Sequence, residues 1–142
     1  MEQYKIYVEM TDRVAARRGV HNTFFLTANT SIVTAAAIFL PSMKERGVIP
    51  LVVPLAMLLL QCAAWFWILR SYRQLSSAKY RVLGVMEERL PASPYWSAEW
   101  KAIGSGRDPS IYWPLTRLEQ WVPLTFGTAY IALFVLTLTS AW

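Results

Sequence analysis

Hydrophobic positions gather into three runs, Phe24 to Leu40, Val48 to Leu69 and Val122 to Ala141, which together hold 59 residues without one Asp, Glu, Lys or Arg. An α-helix rises about 1.5 Å per residue, so roughly 20 apolar residues cross the hydrocarbon core of a bilayer. The second and third runs meet that length. The first reaches it when its helix begins near Asn22 and ends near Pro41 or Met43. The pattern predicts an all-α integral membrane protein with transmembrane helices at 22–43, 48–69 and 121–142 and a short extracytoplasmic turn at 44–47. Pro50, Pro54 and Pro123 are expected in the first turns of their spans, where a missing amide donor costs least. Trp65, Trp67 and Arg70 close the second span, and Trp121 and Trp142 flank the third; all five are candidate interface anchors, because indole rings and guanidinium groups favour headgroup depth.

Outside the runs the pattern changes to an amphipathic one. Over residues 1–21, Tyr4, Tyr7, Val8, Thr11, Val14 and Ala15 share one helical face, while Lys5, Glu9, Asp12 and Arg13 stand at ion-pair spacing on the other. No proline precedes Pro41, so this helix is expected to run into the first span, interrupted at most near Gly19. After the second span, Tyr72, Leu75, Lys79, Val82, Met86 and Leu90 recur every three or four residues, with Arg73, Arg81, Glu87 and Glu88 mainly outside that stripe. The second helix is therefore expected to reach Leu90 and stop at Pro91, making it about 60 Å long and carrying it well out of the bilayer. Between Leu90 and Pro114, prolines, glycines and the rings of Tyr95, Trp96, Trp100, Tyr112 and Trp113 predict turns around one short helix at about Tyr95 to Ile103. Thr116 and Glu119 have capping-box spacing, which predicts a helix start just ahead of the third span.

Composition sharpens this picture. The 142 residues are 55% hydrophobic and 16% charged, and all 23 charged residues lie outside the three runs. A soluble fold of this size has too little chain to enclose three apolar rods. Lys and Arg number four before the first span, two in the first connection, eight at 70–120 and none after the third. Alternating sides, that is 12 basic residues against 2, and the excess of basic residues on the cytoplasmic side places the N-terminus and residues 70–120 in the cytoplasm and the C-terminus outside. The net charge of +5 is accounted for by this topology, so no nucleic-acid partner is expected. Neither a cleavable signal nor a lipidation motif is expected.

Candidate chemistry is sparse. One histidine, His21, and one cysteine, Cys62, cannot build a His/Cys zinc site, a catalytic dyad with a supporting histidine, or an internal disulfide. No catalytic residue, metal or cofactor is expected, and the spans lack the charged side chains that ion-coupled transport or voltage sensing needs. His21 reads as a polar anchor and Cys62 as a small packing residue. Thr23, Thr27, Thr30 and Thr34 form a narrow hydroxyl stripe down the first span, with Ser31 beside it. Such a stripe packs helices closely, its hydroxyls bonded to their own backbone, or lines water in an oligomeric channel. Asn29 lies on a different face. An amide in hydrocarbon is costly unless paired, so it is the candidate for an inter-helix or inter-subunit hydrogen bond.

The run Tyr4-Lys5-Ile6-Tyr7-Val8-Glu9-Met10, then Asp12, Arg17-Arg18, Asn22-Thr23-Phe24-Phe25-Leu26 and Asn29-Thr30, resembles the opening of the RipA-family octameric membrane proteins of bacteria. The similarity continues through Arg70-Ser71-Tyr72-Arg73-Gln74-Leu75, Ser77-Ala78-Lys79, Glu87-Glu88-Arg89-Leu90-Pro91, Glu99-Trp100 and Pro114-Leu115-Thr116-Arg117-Leu118-Glu119, and so covers nearly the whole chain. The resemblance implies a homo-octameric ring in the bacterial cytoplasmic membrane, with sister copies and lipid as partners; it implies no activity. Eight helices about 10 Å apart would leave an opening on the order of 16 Å, too wide for a tight selectivity filter. The expected function is a non-enzymatic scaffold or membrane-organising assembly. The alternatives are an oligomeric channel or membrane-permeabilising pore, and an accessory subunit of a larger membrane complex.

Overall fold

The computed structural model describes residues 2–43, 47–91, 94–102 and 115–140. Among the described residues four α-helices follow one another: α1 at Glu2–Met43, α2 at Ile49–Glu87, the single turn α3 at Trp100–Ala102, and α4 at Leu115–Ser140; a wider π-helical turn, Pro94–Glu99, leads into α3. Three of them, α1, α2 and α4, are long and apolar enough to cross a membrane.

Helix α1 is unbroken across Gly19, because one glycine costs a long helix only about 1 kcal/mol. A methyl group added there meets nothing within 4 Å. Gly19→Ala is therefore expected to raise stability by about 0.5–1 kcal/mol, read as an upward shift of the thermal midpoint in detergent; a fall would show that the site is crowded. Between α1 and α2, Gly47 has φ +89, which only glycine adopts without strain. The carbonyl of Val48 then accepts hydrogen bonds from the amides of Leu51, at 3.0 Å, and Val52, at 3.2 Å, and so starts α2.

Two boundaries differ from those expected. The regular helix of α2 ends at Glu87, not Leu90, and its exit tightens as Arg89 and Leu90 donate to the carbonyls three residues back. Pro91 disfavours helical geometry in the residue before it, which draws the end inward. Helix α4 starts at Leu115, so Thr116 lies inside its first turn and not at a cap position. Pro123 consequently sits in the third turn of α4, where it leaves the carbonyl of Glu119 without its helical donor. The expected short helix at Tyr95 to Ile103 corresponds to the π turn and α3; Ile103, Tyr112, Trp113 and Trp142 lie outside the described residues.

The chain forms two compact units. Unit 1 comprises Met1–Gly19 and Leu69–Glu119; unit 2 comprises Val20–Ile68 and Gln120–Trp142. All but three of the 23 charged residues belong to unit 1, the exceptions being Lys44, Glu45 and Arg46 in the first connection.

In unit 1 the start of α1 runs antiparallel to the end of α2. Tyr4, Tyr7, Val8 and Val14 are half-buried and Thr11 is buried, whereas Ala15 is exposed. On α2 the inward face carries Leu69, Ser76, Lys79, Leu83 and Glu87. This corrects the expected stripe, since Leu75 and Val82 point outward and Glu87 is only 1% exposed. Spacing reveals that a face is apolar. It does not reveal which of two apolar faces turns inward.

Unit 2 is a three-helix cluster in which Leu58, Cys62 and Tyr130 form a buried core with Ile32, Leu55 and Phe126 packed against it. Gly127 lets α4 approach α2 closely, its position for a methyl group standing 3.9 Å from a Leu59 methyl.

Candidate functional site

The polar side chains of unit 2 converge on one seam. Asn29 is 1% exposed, and its amide nitrogen donates to the carbonyl of Phe25 at 2.9 Å. Its oxygen accepts from the Tyr130 hydroxyl at 3.1 Å and faces the Cys62 thiol at 4.0 Å. One amide thus touches all three long helices. One turn away, Gln61 donates to the Phe25 carbonyl at 3.3 Å, and the buried indole of Trp65 donates to Asn22 Oδ1 at 2.9 Å. Trp65 stacks in parallel on Phe25, with ring centres 5.7 Å apart, and its other neighbour is Phe126 at 6.2 Å. The seam holds amides, a hydroxyl, an indole and a thiol but no charged group, so its chemistry is that of a fastening between helices.

The hydroxyl stripe is elsewhere. Thr23, Thr27, Thr30, Ser31 and Thr34 are all exposed, on the side of α1 turned away from Asn29. Thr27, Thr30 and Ser31 each donate at 2.9 Å to the carbonyl four residues back. At Thr27, Thr30 and Ser31 the stripe therefore presents methyl groups and lone pairs outward, the three donors held by their own helix. Trp67 and Trp121 are exposed, as is Arg70, whereas Trp65 is enclosed among aromatic rings; Asn22 and Gln61, its companions in the seam, were not singled out by sequence pattern. Their spacing from Asn29 and Cys62 was the available signal, since 22, 25 and 29 fall on one face of α1 and 61, 62 and 65 on one face of α2.

Unit 1 buries charge in pairs. The Tyr4 hydroxyl donates to Glu87 Oε1 at 2.8 Å, and the Lys79 ammonium lies 5.1 Å from the centre of the Tyr7 ring. Both contacts compensate charges that would otherwise be expensive to desolvate. The Arg18 guanidinium approaches Glu119 at 3.0 Å in a mostly enclosed ion pair, while the Arg13 to Glu9 pair at 2.7 Å is open to solvent and worth little. Among the described residues no three His, Cys, Asp or Glu side chains stand together as a metal site would require.

Three apolar helices fastened by neutral hydrogen bonds define a multi-pass helical membrane protein. Within that class, the chain belongs to the octameric membrane protein family (8xMP), whose model matches residues 1–139. Neither a curated protein nor a solved structure is detectably similar to it.

Proposed function

We propose that the protein is a non-enzymatic homo-octameric ring of the bacterial cytoplasmic membrane that acts as a scaffold or membrane-organising component. The observation that carries this reading is the direction and saturation of the polar groups. Asn29, Gln61 and Trp65 turn into the subunit and bond to one another's neighbours, and the outward hydroxyls of α1 donate to its own backbone. A water-filled path needs polar side chains along its full length with hydrogen-bonding capacity left for water. Surfaces of unit 2 that remain apolar and exposed, among them Val52, Met57, Leu60, Leu133 and Leu136, suit lipid and sister subunits. The resemblance to the RipA family supports the bacterial inner membrane, and the twelve basic residues of 1–21 and 70–120 support a cytoplasmic N-terminus and an external C-terminus.

The exposure of Thr23, Thr27, Thr30 and Thr34 on one face favours a second reading, in which α1 lines a water-filled axis. Conductance separates the two. Purified octamer in planar bilayers is expected to show no stepwise current above the background of protein-free membranes. Reproducible steps whose size changes in Thr27→Leu or Thr30→Leu would replace the scaffold with the channel.

A further inference from the structure

In unit 1, α2 carries a second apolar strip. Leu75, Ala78, Val82 and Val85 follow at steps of three, four and three, the spacing of a helix-packing seam. All four are exposed, Val85 at 58%. At 100° per residue this strip is centred about 130° around α2 from the face of Leu69, Ser76, Lys79, Leu83 and Glu87. Helix α1 has a counterpart in Ile6 and Met10, exposed at 54% and 45% and one turn apart, about 115° around from the face of Tyr4, Tyr7, Val8, Thr11 and Val14. The two helices meet through Tyr4 on Glu87 and Lys79 on Tyr7. Both strips therefore lie on the flanks of the pair, turned away from the seam the helices share.

Hydrocarbon is a poor cover for these strips. Arg81, Glu88 and Arg89 border the one on α2, and Glu9, Arg13 and Arg17 border the one on α1, so charges of both signs would enter lipid with them. An exposed apolar strip on a charged, water-facing unit marks a protein contact. We propose that its occupant is a second copy of this chain, the Ile6 and Met10 strip of one subunit packing on the Leu75 to Val85 strip of the next. Because the strips differ, the contact is head-to-tail, and each subunit keeps one strip open on either side until a ring closes. Membership of an octameric family supplies the copies that close it. The inference rests on the ring reading above and adds the surfaces that join it.

Rotational symmetry holds every subunit at one height. Within the chain Tyr4 stands opposite Glu87 and Tyr7 opposite Lys79, so Ile6 falls level with Val82, and Met10 with Ala78. Full-length protein carrying Cys62→Ala together with either Ile6→Cys and Val82→Cys, or Met10→Cys and Ala78→Cys, is oxidised in native membranes of the expressing cells. Within one chain each pair is further apart than the helix axes, which lie about 8–10 Å from one another, and a disulfide needs Cβ atoms about 4 Å apart. Any bridge is therefore between subunits. The expected result is a ladder from dimer to octamer on non-reducing gels that reductant collapses to monomer. Dimer alone, formed equally by the single-cysteine variants, shows like-to-like packing and overturns the proposal. Monomer on the gel with octamer by native mass spectrometry also overturns it, leaving the ring intact and the strip outside the contact between copies. Monomer by both methods removes the ring as well. Independently, Leu75→Glu with Val82→Glu is expected to lower the octamer fraction at least tenfold at unchanged helix content, and an undiminished octamer would overturn the assignment.

Discussion

Trp65→Ala is expected to cost the folded protein about 3–5 kcal/mol, the range for deleting a large aromatic side chain from a packed interior. Trp65 is 1% exposed, lies flat on Phe25 with an interplanar angle of 8°, and meets Phe126 of α4 on its other side. Removing the ring leaves a void bounded by three helices. Neither Phe25 nor Phe126 can fill it without leaving its own contacts, Phe126 being itself packed on Tyr130 at 6.0 Å. Trp65→Phe separates packing from hydrogen bonding, since it keeps most of the stacked surface and removes only the donor to Asn22. Asn22 is half-buried and can recover a partner from water, so this change is expected to cost about 1 kcal/mol. Both values are measurable from unfolding of the solubilised protein with increasing SDS fraction. Equal, small losses in the two variants would show that Trp65 holds no packed position between the helices.

The three long helices were legible because their signals are long. An uncharged run of about 20 residues and a face repeated over five turns both survive local exceptions, and Gly19 interrupted neither. The composition changes at residues 19–22 and 69–70, close to where the two compact units meet along the chain. Finer features depended on choices that no local pattern records. Glu87 looked like a solvent residue from its charge, yet a tyrosine 83 positions away provides the hydrogen bond that makes its burial tolerable. Leu75 and Val82 looked like inward residues from their spacing. On a helix with two apolar faces the spacing is equally good for either, and the partner helix decides between them. The start of α4 ahead of Thr116 follows the same logic, since the Arg18 to Glu119 ion pair ties the first turns of α4 to α1 whatever the capping pattern favours.

Asn29 was legible as a residue that had to find a partner, but its partners were not. Asn29→Leu is expected to destabilise the protein by about 2–4 kcal/mol, combining the lost inter-helix bond with the cost of leaving the Tyr130 hydroxyl unpaired in an apolar interior. Tyr130→Phe is expected to cost less, because Asn29 keeps its bond to the Phe25 carbonyl and its oxygen still faces the Cys62 thiol. In the double variant no donor remains to be orphaned, so the combined loss should fall short of the sum by about 1 kcal/mol, the coupling of two groups in direct contact. Additive losses would mean that Asn29 and Tyr130 do not act on one another. The same variant also distinguishes a bond within the subunit from one between subunits. All of the contacts of the Asn29 amide described above lie inside one chain, so Asn29→Leu is expected to lower unfolding resistance while native mass spectrometry still records the octamer at concentrations where the protein remains folded. Dissociation to smaller species before any loss of helix content would instead place Asn29 at the junction between copies.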